Sequence, residues 1–412
     1  MQISNVILLT LQILLVCSDH NLPSKSVKID PNTVFVLFGT RHGNRNPGQY
    51  LPENPRTWGF EGFNELTSVG KRQSYGLGTE LRKFIGNLTS NNYNASQVSY
   101  YSSSANRCQM TLQTVLAGLH PPETWGDWNT AVLDHWSPVP YSINDQLLRM
   151  YSVSECTQSN VVWKPIDNDQ LPHLKQLLTE KRQLLNYFQA NTGWNMSNLG
   201  NAADLADNLI EINLYNATLP AWITKPTINY TPQQIESEIM SFAEVHQIAC
   251  ADYAPCRNLM AGYWLTDILS KLHKASNNSD QKVAGYASHT EITLSVMKLL
   301  GITKDELTTS AGFVVELRKL PYPSIRLLNH DPNPIDSHVI YPATLVDALE
   351  ARKDSNGFIN LTVFENYVKP AEDYSNWKKA CGIAAPTSSA SSSFLKTAVL
   401  NATILSYVMG RR

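Results

Sequence analysis

Eight residues, Thr33-Val34-Phe35-Val36-Leu37-Phe38-Gly39-Thr40, form a nearly unbroken apolar run that ends abruptly in Arg41-His42-Gly43-Asn44-Arg45-Asn46-Pro47. A run this short, rich in β-branched and aromatic side chains, suits a strand covered on both faces. The layout recurs twice. Gln97-Val98-Ser99-Tyr100-Tyr101-Ser102 leads through Asn106-Arg107 into a helical pattern at Met110, Leu112, Val115, Leu116 and Leu119. Val283-Ala284-Gly285-Tyr286-Ala287 leads through Ser288-His289-Thr290-Glu291 into another at Ile292, Leu294, Val296, Leu299 and Leu300, with Gly301 as a stop.

Strand–loop–helix units build open α/β sheets, whose ligand sites lie beyond the carboxyl ends of the strands. The three loops are therefore expected to gather Arg41, His42, Arg45, Arg107, His289 and Glu291 at one edge, where helix N-termini also favour an anion. The expected fold class is α/β: a central, mostly parallel sheet flanked by helices, with a smaller inserted α-helical cap domain. Residues 30–145 and 273–381 are assigned to the α/β catalytic domain. Residues 146–272 are assigned to the cap, because stretches such as 171–178 and 235–243 carry helical periodicity. A chain of 412 residues with 42% hydrophobic content can bury such a core.

The histidine loop carries a specific chemistry. A phosphate monoester resists attack because its oxygens are negative, so hydrolysis needs a nucleophile, cationic clamps and an acid for the leaving oxygen. A neutral nitrogen of His42 can attack, and Gly43 leaves room for the phosphoryl group. Arg41 and Arg45 flank it, and guanidinium matches phosphate in a bidentate way that lysine does not. Their charge also disfavours imidazolium, keeping His42 neutral where a free histidine, with a pKa of about 6.5, would be charged. The substrate's own ionisation near pH ~6 points the same way, to an acidic optimum.

The net charge of −2 offers neither a basic surplus for nucleic acid nor an acidic one for a solvating chain. His120, His135, His173, His246, His273, His330 and His338 read as ordinary histidines. No metal-ligand spacing is evident, and no cofactor is implied. Residues 6–16 form an apolar core of signal-peptide length, so residues 1–18 are read as a secretory signal, although residues 1–5 lack a basic residue. Sequons at Asn87, Asn94, Asn195, Asn216, Asn229, Asn277 and Asn360 agree with secretion. If Cys17 leaves with the signal, five cysteines remain, an odd number, and Cys250 and Cys256 are close enough to close a small loop. Residues 382–412 read as a Ser-rich linker and an apolar tail. The tail fits a cleaved lipid-anchor signal, a short membrane span or a plain amphipathic tail.

The chain resembles the histidine acid phosphatases of the prostatic and lysosomal type and their insect relatives, within branch 2 of the histidine phosphatase superfamily. The resemblance rests on Arg41-His42-Gly43-Asn44-Arg45-Asn46-Pro47 and on Gly62-Phe63-Asn64-Glu65-Leu66-Thr67-Ser68-Val69-Gly70, like the family's R-H-G-x-R-x-P and G-x-x-x-L-T-x-x-G. Asn106-Arg107, Leu219-Pro220-Ala221-Trp222 and the stretch from Trp377 to Cys381 are looser matches, so it covers most of residues 33–381. It implies an α/β plus α-helical fold and a covalent phosphohistidine on His42. It implies phosphate binding by Arg41, Arg45, Arg107 and His289, and a long-range disulfide between Cys156 and Cys381. That leaves Cys108 as the buried free thiol.

Two positions depart from the pattern. Asn44 stands where many relatives have Asp. Thr290 stands where acid phosphatases have the Asp proton donor, and His289-Thr290-Glu291 is instead similar to the His-Ala-Glu of phytases and inositol-polyphosphate phosphatases. The donor role is therefore carried to Glu291. The leading reading is an acid phosphatase for small phosphate monoesters or phosphorylated proteins, secreted, lysosomal or membrane-anchored, with the catalytic domain outside the cytosol. A homodimer is left open. One alternative is a phytase-like inositol-phosphate phosphatase, against which stands the lack of basic residues other than Arg56 between Asn46 and Trp58. The other is a secreted phosphate-binding protein whose turnover is impaired by Thr290.

Overall fold

The computed structural model describes residues 22–52, 60–128, 136–333, 335–369 and 374–383. The expected signal segment, the Ser-rich linker with its apolar tail, Arg56 and His135 lie outside the described residues.

Among the described residues, eight strands form one sheet. They are β1 (Thr33–Arg41), β2 (Val98–Ser102), β3 (Ser142–Ile143), β4 (Val283–Ser288), β5 (Gly312–Arg318), β6 (Ser324–Pro332), β7 (His338–Pro342) and β8 (Ile359–Asn360). Their order is β3-β2-β4-β1-β5-β6-β7, with β8 paired to β6. Strands β3, β2, β4 and β1 run parallel. From β1 through β5, β6 and β7 every pairing is antiparallel. The sheet is thus mixed, and "mostly parallel" describes only the half that carries the histidine loop. Parallel neighbours need long crossovers, and here helices supply them; β5, β6 and β7 follow one another through short turns, which permit only antiparallel pairing. A reading keyed to strand–loop–helix units detects the first half and passes over the second.

Both faces of β1 are covered, as its composition requires. Phe35, Val36, Leu37 and Phe38 are all fully buried. Val36 and Phe38 face the helices Ser68–Ile85 and Asn106–Leu119 through Leu77, Leu81, Leu112 and Val115. Phe35 and Leu37 face the other side. There Trp264, from the helix Ala254–Ser276, packs on Tyr286 and Phe313 with ring centroids 5.3 and 5.7 Å away. The helices from Asp145 to Ser276 follow β3 and precede β4 in the chain. Among the described residues, no helix is long and apolar enough to cross a membrane.

Disulfides join Cys156 to Cys381 and Cys250 to Cys256, and Cys108 is a buried free thiol. Six of the seven sequon asparagines are exposed; Asn360 is half-buried, and its side chain accepts from the Val363 amide at the start of the helix Leu361–Val368. The Cys156–Cys381 bridge spans 225 residues and ties the start of the helix Thr157–Asp167 to the end of the described chain. Closing so long a loop restricts the unfolded chain strongly. Cys381→Ser is expected to cost about 2–5 kcal/mol. Urea denaturation should show a lower midpoint, and an unchanged midpoint would refute this.

Candidate active site

The parallel half of the sheet places its loops together. β1 ends at Arg41, and His42 follows at once, its amide donating to the Ser288 carbonyl of β4 at 3.0 Å. β4 ends at Ser288, and His289 caps the helix Thr290–Leu299. β2 ends at Ser102, and Arg107 lies in the first turn of the helix Asn106–Leu119. The rings of His42 and His289 meet edge to face, centroids 5.7 Å apart. All six residues expected at one edge are therefore gathered there.

Close backbone approach fixes the histidine loop. A Cβ on Gly43 would lie 2.5 Å from the Gly70 carbonyl oxygen, and one on Gly70 would lie 2.2 Å from that of Asn44. The two glycines let the loop rest directly on the N-terminus of the helix Ser68–Ile85. The Gly43 amide donates to Thr111 Oγ1 at 3.0 Å, and the Asn44 amide to Gln73 Oε1 at 2.8 Å.

The hydrogen bonds settle the tautomers. His42 Nδ1 lies 2.8 Å from the Gly43 carbonyl, which only accepts, so Nδ1 carries the proton and Nε2 has the lone pair. Arg107 Nη2 donates to His289 Nδ1 at 3.1 Å, so His289 Nε2 carries its proton and donates to Ser103 Oγ at 3.0 Å. Both imidazoles are buried. Burial holds His42 well below the usual histidine range, and Arg107, Arg41, His289 and Arg45 act in the same direction. Burial does likewise for His289, with Arg107, Arg149, Arg45 and Arg41.

The arginines are held by partners that no loop motif contains. Arg41 Nη1 donates to the Leu307 carbonyl at 2.6 Å, and its Nη2 pairs with Glu244 Oε1. Arg45 Nη2 pairs with Asp207 Oδ2 at 2.8 Å. Burial works against the charge of Arg45, but Asp207, Glu244 and Asp204 outweigh it and raise its pKa. Arg149 donates to Ser104 Oγ at 3.2 Å and lies 5.6 Å from the centre of the Tyr151 ring. Tyr151 in turn lies 5.8 Å from the His289 ring.

Glu291 is buried in the first turn of the helix that His289 precedes. Burial raises its pKa and nearby Glu244 adds to this, while its own backbone amide, the Tyr151 hydroxyl and Arg107 oppose it. Glu244 is shifted the other way: burial resists ionisation, but Arg41, Arg45 and the Thr290 hydroxyl overcome it. Two neighbouring carboxyl groups are thus driven toward opposite protonation states, the pattern that separates an acid from an anion. Cys108 lies beneath His289, its Sγ 3.6 Å from Nε2, and burial pushes its thiol up to about 11. It is a structural thiol rather than a nucleophile.

Sequence reasoning missed Glu244, Asp207, Arg149, Tyr151 and Thr111. One signal existed. Asp204, Asp207, Asn208 and Glu211 share one face of the helix Leu199–Leu214 at helical spacing. In the fold that stripe lies along the histidine loop, where Asn208 accepts from the Leu51 amide at 3.0 Å and donates to the Gln49 carbonyl at 2.8 Å. Among the described residues, no group of three or more His, Cys, Asp or Glu could hold a metal ion.

A family model described as the histidine phosphatase superfamily (branch 2) matches residues 34–322. The chain is 27% identical to prostatic acid phosphatase of Bos taurus over 276 residues, covering 64% of this chain and 68% of that protein. It is 26% identical to lysosomal acid phosphatase of Xenopus laevis over 274 residues, covering 64% and 61%. The apo form of Hafnia alvei phytase superposes with a TM-score of 0.61 at 14% identity, covering 85% of this chain and 98% of that one. Phytase from Citrobacter braakii gives 0.55 at 13% identity, covering 83% and 98%. These two structural likenesses speak for the fold alone.

Thr111 is fully buried and accepts from the Gly43 amide. Thr111→Val should leave that donor unpaired at a cost of about 1–3 kcal/mol. A thermal melt should show a lower midpoint, and any catalysed turnover should fall with it as the loop shifts. Wild-type values of both would contradict the anchoring role.

Proposed function

This chain belongs to branch 2 of the histidine phosphatase superfamily, and from that premise we propose that it is an acid phosphatase acting through a phosphohistidine on His42. The observation that carries the reading is the state of His42: buried, neutral, with the Nε2 lone pair free and arginines on several sides. The names of its relatives support the same activity. In the proposed cycle Nε2 attacks phosphorus and the bond to the leaving oxygen breaks. Arg41, Arg45 and Arg107 bind the phosphoryl oxygens, and His289, whose two nitrogens are committed to Arg107 and Ser103, orients Arg107 for that task. Glu291, whose pKa burial raises, gives its proton to the leaving oxygen. The Gly43 carbonyl, accepting from Nδ1, steadies the cationic phosphoimidazole. Water then attacks phosphorus, Glu291 takes its proton, and phosphate and neutral His42 are released.

The required protonation states set the pH dependence. His42 must be neutral, so activity is lost as pH falls through its depressed pKa. Glu291 must be protonated, so activity is lost as pH rises through its raised pKa. An optimum on the acid side of neutrality lies between. His42→Ala should abolish turnover of an aryl phosphate at pH ~5, the acid range in which this cycle operates. Glu291→Gln should lower kcat by about 10²–10⁴ for alkyl leaving groups, less for aryl ones that leave unaided, and should remove the high-pH limb. A Gln variant with the wild-type profile would assign the donor elsewhere.

The His289-Thr290-Glu291 order favours a second reading, an inositol-phosphate phosphatase. Relative rates on inositol hexakisphosphate and a simple monoester separate the two. Phosphate binding without a trappable phosphohistidine would instead support the non-catalytic reading. We further infer a secretory-pathway location, which the two disulfides and the exposed sequons support. Residues 146–272 serve in this reading as a cap that brings Glu244 and Asp207 to the histidine loop.

A further inference from the structure

One carboxylate enters the site from outside the three loops. Glu244 precedes the helix Val245–Asp252 and has a left-handed backbone, φ 55° and ψ 22°. A residue with a Cβ rarely adopts that conformation unless its surroundings enforce it, and such outliers gather at functional sites. Here the outlier aims the side chain inward. The carboxylate is 14% exposed and pairs with Arg41 Nη2. The Thr290 hydroxyl faces it. Thr290 is the residue before Glu291 in the first turn of the helix Thr290–Leu299, so Glu244 and Glu291 border the same side of the site.

Charged and titratable groups face this pair from several elements. They are Arg41 at the end of β1, Arg45 beyond it, Arg107 on the helix Asn106–Leu119, Arg149 and Tyr151 after β3, Asp207 on the helix Leu199–Leu214, and His289 itself. Arg41, Arg45 and Arg107 act on both imidazoles, while Glu244 pairs with Arg41 and acts on Glu291. With Glu291 as the donor, a leaving oxygen lies on the side of the site that Glu244 borders, whereas the phosphoryl group meets the arginines.

We propose that Glu244 is a specificity-determining residue: it shares Arg41 with a single phosphoryl group and makes the leaving-group side anionic, so the site takes monoesters whose leaving group carries no further phosphate. The inference rests on the phosphomonoesterase reading and narrows its substrate class. Glu244 also acts through Glu291, because its charge favours the acid form of that neighbour. A highly phosphorylated ring is disfavoured by repulsion from Glu244.

The test compares wild type, Glu244→Gln and Glu244→Asp. Glutamine keeps an acceptor for Arg41 and removes the charge; aspartate keeps the charge. The kcat/KM ratio of inositol hexakisphosphate to an aryl phosphate should rise about tenfold in the Gln variant, the scale of removing one like charge from a partly buried site. It should stay near wild type in the Asp variant, and the high-pH limb of the Gln variant should move to lower pH. Calorimetry supplies a reading that needs no turnover: the Gln variant should bind inorganic phosphate more tightly, and inositol hexakisphosphate more tightly still. Unchanged ratios, an unmoved limb or equal affinities in wild type and the Gln variant would overturn the proposal. A wild type that binds phosphate but forms no phosphohistidine would defeat the phosphatase reading, and the affinities would still decide whether Glu244 screens polyanions.

Discussion

Guanidinium groups largely withdrawn from water demand carboxylates beside them. Arg41, Arg45 and Arg107 crowd a pair of imidazoles from which water is largely excluded, and cations so placed repel one another. An uncompensated buried charge costs several kcal/mol, so such a cluster persists only with counter-charges and hydrogen bonds in place. The ion pairs Arg41–Glu244 and Arg45–Asp207 meet that requirement, and both carboxylates come from the segment between β3 and β4. The placement of those two carboxylates is thus tied to the electrostatics of the histidine loop.

The same balance governs the imidazoles. Burial and guanidinium charge both disfavour imidazolium, so His42 and His289 stay neutral. Each is then oriented by one partner that can only accept or only donate, the Gly43 carbonyl for His42 and Arg107 for His289. The proposed nucleophile is therefore in its reactive tautomer before any substrate arrives, which lowers the reorganisation needed at the reacting atom. Glu291 faces the opposite problem, a carboxyl group amid cations, and keeps acid character because burial and Glu244 outweigh them.

Legibility in the sequence followed the range of each interaction. The strand Thr33–Arg41 was readable because four consecutive buried residues require cover on both faces, and that cover is present. The antiparallel strands Gly312–Arg318, Ser324–Pro332 and His338–Pro342 were not, because a reading centred on strand-then-helix units has no place for them. Gly43 read as room for a phosphoryl group; in the fold it is also the point where the loop touches Gly70. Asp207 and Glu211 were not legible as neighbours of the loop because a helix periodicity gives a face but not what covers it.

The sequence by itself determined the covalent material: a histidine between two arginines directly after a buried strand, a second histidine and a third arginine at equivalent ends, and a carboxyl group two residues past that histidine. These are local patterns, fixed by strand and helix periodicity and by the few residues that suit a strand-to-helix turn. The tertiary structure alone decided how those groups are charged. Which carboxylate pairs with which arginine, which nitrogen holds each proton and which glutamate remains an acid all depend on distances between segments up to 203 residues apart. Electrostatic energy depends on spatial separation and burial, and neither is written in residue order.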